Sequence, residues 1–464
     1  MNTQPANLFW SIAASAAWLL LCAAMWRRAR ARRRDAERAA RGGLLALEQA
    51  GSGTGRVPVL VAYASQTGTA ESLANQTANA LQTAGVEARP VSFARLELVT
   101  LQSAREVLFI VSTYGEGDPP DPAAHFFAAA MGNNTVDLSH MQFGLLALGD
   151  NTYRNFCGFG RQLDAWLLER GARPLFERIE ANNADPAAVQ AWRRELGHIA
   201  ATTDLPEWQD IPFEPWLLRK REHLNPGSAG GPVFHLELER QTAVTTGWQA
   251  GDLLQIQLPA DPDRPRDYSI ASIPADGAVH LLIRREVRAD GSTGLASGWL
   301  TRDVEIGATV YSRLRTHSSF RIGDNADGDL ILIGNGTGLA GLRAHLKQRA
   351  SGAGSHRHWL IFGERQAAHD ALYAEDLAAW RASGLLTQLD LVYSRDGAAE
   401  RYVQDRLRAQ SAQLREWVEA GAAIYVCGSL EGMAEAVAEV LREALGESTL
   451  LQLQQQGRYR RDVY

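Results

Sequence analysis

The sequence predicts a multidomain α/β chain of 464 residues, with two parallel sheets flanking an antiparallel barrel and one N-terminal transmembrane helix ahead of them. Three observations predict it. Short apolar runs, each ending in a loop of Gly, Ser or Thr, occur in two separate regions, which is the pattern of strands buried on both faces. Between them lies a region of alternating strands and turns. Ahead of both stands a charge-free apolar stretch. The length agrees, since roughly 100–200 residues per module calls for several modules.

Residues 1–34 read as an anchor and its basic flank. "LFWSIAASAAWLLLCAAMW", Leu8 to Trp26, is 19 residues without a charge. As a helix it would reach about 28 Å, close to the ~30 Å hydrocarbon core. Six arginines follow between Arg27 and Arg34, and no Lys or Arg precedes the run. By the positive-inside rule this predicts a single-pass inner (plasma) membrane protein with its body in the cytoplasm. A secretory signal would carry its charge before the apolar run. Cys22 reads as an ordinary membrane-facing residue. Residues 35–56, rich in Ala, Arg and Gly, read as a flexible tether.

The body divides into 57–205, 206–325 and 326–464. In the first part, "VPVLVAYA", "EVLFIVSTYG" and "FGLLALGD" are apolar strands, and "ESLANQTANALQTAG" has helical period. In the second, "VFHLELER", "DLLQIQLP", "VHLLIRRE" and "ATVYSRL" read as strands of an antiparallel barrel, with the segment from Pro206 as linker. In the third, "LILIG", "HWLIFGE", "LDLVYSR" and "AIYVCGS" return to a parallel sheet. The net charge of -6, with 45% hydrophobic and 22% charged residues, gives no support to nucleic-acid binding. Cys22, Cys157 and Cys427 follow no metal-ligand spacing, so no metal site is predicted, and a reducing compartment is.

Several loops carry chemistry. "SQTGTAE", Ser65 to Glu71, joins a strand to a helix start, where hydroxyls and free N–H groups meet the positive end of the dipole and suit a phosphate. The lysine of a triphosphate-binding loop is absent, which favours a monophosphate. "STYGEGDPPD" and "LGDNTYRNFCGFG" leave the same sheet edge and bring Tyr114 and Tyr153 to a flat ring. "RDYSIAS", Arg266 to Ser272, offers a guanidinium for a diphosphate and a ring face, although taken alone it also fits an ordinary edge strand. "GNGTGLAG", Gly334 to Gly341, opens a helix after a strand and suits a pyrophosphate.

Taken in this order, the three loops of the first module resemble the FMN site of flavodoxin-like domains, in the version found in diflavin reductases. The resemblance implies that Ser65, Gln66, Thr67, Gly68, Thr69 and Ala70 hold the FMN phosphate. It also implies that Tyr114 and Tyr153 flank the isoalloxazine, within loops that contribute Ser112, Thr113, Gly115, Leu148, Gly149, Asp150, Asn151, Phe156 and Cys157. Cys157 is read as a small buried thiol rather than a redox group. "RDYSIAS" and "GLAS" are similar to the two FAD segments of ferredoxin-reductase-like barrels, which implies FAD contacts from Arg266, Asp267, Tyr268, Ser269, Gly294, Leu295, Ala296 and Ser297. Ser269 would lie near the flavin N5.

The third module resembles the NADP-binding domain of the same family. Gly336, Thr337 and Gly338 would take the pyrophosphate, and Ser394, Arg395, Arg401, Tyr402 and Gln404 the 2′-phosphate of NADPH. Hydroxyls and guanidinium groups favour NADPH over NADH. Glu400 stands where relatives usually carry a Lys, and Ser429 where an Asp is common. Cys427 falls at the position of a thiol beside the nicotinamide. The closing aromatic, Tyr464, would stack over the FAD ring as a lid, with Asp462 orienting the nicotinamide. Ser269, Cys427, Asp462 and Tyr464 are thus the implied catalytic set.

The resemblance covers about Val57 to Tyr464 and lacks the helical connecting domain of full diflavin reductases. It implies NADPH-dependent electron transfer through FAD and FMN to an acceptor protein. A membrane-anchored hemoprotein reductase is the first expectation. A sulfite reductase flavoprotein, to which "LGDNTYRNFCGFG" and "RDVY" are similar, is the alternative, with an iron or siderophore reductase third. A non-catalytic flavin or nucleotide sensor is the rival class. Glu116, Asp118, Asp121 and Asp150 are either a steering patch for a basic partner or a solvated rim.

Overall fold

In the first region the apolar runs form one parallel sheet. Its strands are β1 (Val59–Ala64), β2 (Ala88–Ser92), β3 (Glu106–Ser112), β4 (Gln142–Gly149), β5 (Arg173–Pro174) and β6 (Ile179–Asn182). The order is β2-β1-β3-β4-β5, with β6 also on β4. Side chains alternate across the sheet, so β3 sends Val107, Phe109 and Val111 to one core and Leu108 and Ile110 to the other. Helices Thr69–Thr83 and Pro186–Ala200 close the second face, where buried Trp192 donates through Nε1 to Thr77 Oγ1 at 2.9 Å. Fully burying such a side chain contributes on the order of 2–3 kcal/mol.

This computed structural model describes residues 58–464 apart from 132–134, 184, 203, 207, 209–210, 242–246, 353 and 355. The predicted transmembrane helix, basic flank and tether lie outside the described residues. Among those described, no helix is long and apolar enough to cross a membrane.

The second sheet is antiparallel: β7 (Glu214–His223), β8 (Val233–Arg240), β9 (Leu253–Leu258), β10 (Asp261–Ser269), β11 (Val279–Arg284) and β12 (Thr309–Arg315), in the order β10-β9-β12-β7-β8-β11. A bridge between Ile270 and Leu281 joins the two ends and closes it. Trp216, Leu236, Leu254, Ile256 and Leu281 fill the interior. One expectation is corrected here. The segment from Pro206, read as a linker, enters the sheet at Glu214, so the connection from the helix ending at Ala200 is residues 201–213.

The third sheet is parallel: β13 (Leu330–Asn335), β14 (His358–Glu364), β15 (Leu386–Tyr393), β16 (Ala423–Gly428) and β17 (Tyr459–Val463), in the order β15-β14-β13-β16-β17. Cores lie on both faces. The closing stretch "YRRDV" is therefore an edge strand, paired with β16 on one side only.

Candidate active site

The loops after β1, β3 and β4 leave adjacent strands at their carboxyl ends, because β3 pairs with both β1 and β4. Ser65 Oγ accepts from the Ala70 N–H at 3.1 Å, and Ser65 and Gln66 are buried. Gly68 has φ +86, and a Cβ there would meet the backbone oxygen of Thr316, so only glycine fits. The helix that starts at Thr69 has no side-chain cap. The Ala70 N–H is taken by Ser65, and the rest of the uncapped first turn with the loop hydroxyls fits a phosphate.

Thr113 N–H donates to Leu148 O at 2.8 Å, tying the second loop to the third. Tyr153 is 44% exposed at the open edge. Tyr114 is half-buried against the core of the third sheet, and its hydroxyl donates to Val463 O at 3.5 Å. Asp150 accepts from Thr152, and Asn151 N–H donates to Asn182 Oδ1 at 3.0 Å. Leu148 contributes backbone only, its side chain being buried in the sheet. Cys157, read as a small buried thiol, is buried under the loop and donates to Ala147 O at 3.3 Å, so its side chain does not line the loop surface. Burial, then the nearby Glu180 charge, pushes its thiol up to about 12, so it stays protonated.

In the barrel, Tyr268 packs on the interior core while Arg266 folds back onto Arg264 O. Asp267 pairs with Arg315. The second segment turns sharply into the helix Leu295–Gly298, with Gly294 N–H donating to Glu286 O and Glu286 N–H to Ser297 Oγ. Gly294 is buried, and a Cβ there would meet Glu286 and Ser297, so this turn is packed too closely for a side chain. Leu295 is exposed and Ala296 is buried.

The three modules converge at β17. Cys427 and Asp462 are direct partners in the β16–β17 pairing. Asp462 Oδ2 accepts from Ser269 Oγ at 2.6 Å and from Cys427 Sγ at 3.7 Å. Burial, and then the Asp462 charge, holds the Cys427 thiol well above the ordinary range, so it is a protonated donor and not a nucleophile. Tyr464 N–H donates to Gly428 O at 3.0 Å and its hydroxyl to Thr337 Oγ1 at 3.1 Å, yet the residue is 56% exposed. Gly336 has φ +57, and a Cβ on Gly338 would meet the Cys427 carbonyl. The glycines thus let the turn pack closely on β16 at the helix start, an arrangement that suits a pyrophosphate.

Ser394 and Arg395 follow β15, held by backbone bonds to Glu364 and Arg365. Arg401 Nε donates to Ser394 O at 3.2 Å, and Tyr402, 51% exposed, starts the helix that also carries Gln404. Glu400 is tied to Arg406 at 3.1 Å, which offsets the carboxylate near this group. Ser429 donates to Glu431 O at 2.8 Å within its own turn.

Two features escaped the sequence. Arg284, on β11, pairs with buried Glu364, and its guanidinium lies 3.5 Å from where a Cβ on Gly336 would sit, putting a cation beside the pyrophosphate turn. His235, Glu237 and His280 bring ligand-capable atoms within 4.8 Å of one another. His235 is already bonded to Tyr373 and Glu237. Arg343 lies 3.5 Å from His280 Nδ1 and Lys220 3.7 Å from Glu237, two cations where a metal ion would need electron pairs. A satisfied network between barrel and third module explains the cluster.

A phosphate loop with ring-binding loops, a barrel with two flavin segments and a nicotinamide-type turn define a reductase that passes electrons between flavins. Comparisons with known proteins agree. Residues 61–195 match the flavodoxin family and residues 332–439 the oxidoreductase NAD-binding domain. A sulfite reductase [NADPH] flavoprotein alpha-component from Thiocapsa roseopersicina is 31% identical over 440 residues, covering 83% of each chain. The protein of that name from Neisseria meningitidis serogroup B is 28% identical over 555 residues, covering 91% of this chain and 92% of its own. The one from Yersinia enterocolitica is 27% identical, covering 88% and 90%. This chain belongs to the diflavin reductase family, and its cofactors are FMN, FAD and NADPH. An alignment of 555 positions exceeds its 464 residues, so the Neisseria relative carries sequence that this chain lacks.

Proposed function

We propose that this chain is the NADPH-oxidising flavoprotein of a two-component reductase, a reading supported by relatives named sulfite reductase [NADPH] flavoprotein alpha-component, and that its acceptor is a siroheme protein. The convergence of Ser269, Cys427 and Asp462 from two modules carries the reading. When bound, NADPH supplies a hydride, FAD takes the electron pair and FMN passes electrons on singly. Asp462 holds a buried carboxylate charge and orients the Ser269 hydroxyl; Cys427 keeps its proton. Ser394, Arg395 and Arg401 grip the 2′-phosphate, Arg284 faces the pyrophosphate turn, and Tyr464 spans the entrance from β17 to Thr337.

The test is reconstitution of the full chain with a siroheme subunit, NADPH and sulfite, read as sulfide formed. NADPH oxidation without sulfide would overturn the acceptor, and no NADPH oxidation with both flavins bound would overturn the enzyme in favour of a sensor. A second reading, a single-pass membrane reductase of a heme protein with its body in the cytoplasm, is supported by the charge-free run Leu8 to Trp26 and the arginines after it. Its test is heme reduction in membranes by the full chain.

A further inference from the structure

We infer that docking of the FMN module sets the hydride-transfer carboxylate: Asp121, acting through Arg461, is a positioning residue for Asp462. The inference rests on the role proposed for Asp462. β17 is an edge strand, and the edge that β16 leaves open is covered by side chains of the first module. Gln66 Nε2 donates to Arg461 O at 3.2 Å and the Tyr114 hydroxyl to Val463 O at 3.5 Å. Arg461 Nε donates to Asp121 Oδ2 at 2.9 Å, and a second N–H reaches the other oxygen, giving a two-pronged ion pair. Gln66 Oε1 accepts from the Asp121 N–H at 3.0 Å, so one residue of the phosphate loop braces both partners.

Successive side chains of a strand point to opposite faces. Arg461 and Val463 therefore lie on one side of β17 and Asp462 on the other, toward Ser269 and Cys427. The first module holds the back of the strand whose front carries the reacting carboxylate. When the module leaves to meet its acceptor, Arg461 loses its counter-charge and two carbonyls lose their donors. β17 then keeps β16, the Ser269 bond to Asp462 and the Arg460 bonds to Ser318 and Arg321, and loses every contact on its outer edge. Hydride transfer is thereby favoured while the modules are together and deferred while they are apart.

The full chain carrying Asp121→Asn tests this, with Arg461→Gln as an independent break from the other side and the double variant to close the cycle. Hydrogen exchange of residues 459–464 reads the strand, and NADPH-to-ferricyanide turnover reads the hydride step without the protein acceptor. Each single variant is expected to speed exchange in β17 about tenfold and lower kcat about three- to tenfold, with KM for NADPH within about twofold and the double variant no worse than either single one. Unchanged β17 exchange and kcat in both single variants, or additive losses in the double variant, would overturn the inference. A wild-type chain that does not oxidise NADPH would instead overturn the function on which it rests.

Discussion

Asp462→Asn removes a charge while keeping size and strand pairing. Asp462 is 7% exposed and accepts a 2.6 Å bond from Ser269 Oγ. A bond to a charged acceptor is worth ~1.5–3 kcal/mol and a neutral one ~0.5–1.5, so about 1–1.5 kcal/mol of Ser269 orientation is lost. In the proposed role the carboxylate would also lie near the positive charge that develops on the hydride donor. A full unit charge at about 4–6 Å and an effective dielectric near 20 would gain ~3–4 kcal/mol, and a half-developed charge about half of that. Together these give about 3 kcal/mol, or roughly 10²-fold in kcat. The assay is anaerobic stopped-flow bleaching of flavin absorbance by NADPH, with KM measured alongside. KM should stay within about twofold, because the 2′-phosphate group is untouched, and flavin content and thermal midpoint should hold. A kcat within about threefold of wild type, or a loss carried wholly by KM, would refute the reasoning.

Other outcomes follow from the same geometry. Removing Tyr464, a 56% exposed residue whose hydroxyl bonds Thr337, should raise kcat/KM for NADH relative to NADPH without moving the melting temperature. Arg401→Ala should raise KM for NADPH about 10- to 100-fold, the worth of a charge-assisted bond, and leave that for NADH unchanged. Burial lowers the histidines His280 and His358 to about 4 and His345 to about 3, so the fold holds them neutral. Stability from these groups is complete above the unfolded value near 6.5. It is lost as pH falls from there toward 4, at about 1.4 kcal/mol per pH unit for each histidine. Denaturant titrations at pH 7.5, 5.5 and 4.5 should show that slope, and His345→Phe, placing a ring between Phe320 and Tyr425, should reduce it.

Much of this was legible in the sequence, for a reason that also marks the limit. Strands buried on both faces read as continuous apolar runs, so β1, β3, β4, β13, β14 and β16 stand out. β7 does not. "RKREH" faces outward, with Lys220 bridging Glu222 and Glu237 on the barrel wall, and its charge reads as linker. β10 carries Pro262 and Pro265, residues that a central strand would exclude, and it is tolerated at the end of the strand order. Ser269, Cys427 and Asp462 were each assigned from a motif. Their shared contact depends on a strand pairing that no local pattern encodes. Asp121 and Arg461 are 340 residues apart, and only the packing of modules joins them.

Among the described residues no helical domain stands between the first module and the barrel, and the contacts between the first module and the rest explain how the flavin sites could both join and release. Apart from Tyr114 on the third core, the bonds named are polar: His317 Nε2 and Ser319 Oγ meet Gln66 O at 2.8 Å, and Arg315 reaches Thr67 O at 2.9 Å and Thr69 Oγ1 at 2.6 Å. Each such bond exchanges for one with water on opening and nets only ~0.5–1.5 kcal/mol, whereas each sheet keeps its own apolar core intact. Opening therefore costs polar contacts and the packing of Tyr114 on the third core, and spares the folded modules. Because Arg315, His317 and Ser319 all bond to the phosphate loop itself, FMN occupancy and module docking would act on the same segment. Salt should weaken the docked state through the Asp121–Arg461 and Arg95–Asp324 pairs, which cross from the first module, while leaving the cores unaffected. The reversibility that a separate hinge domain would supply is then a property of the interface.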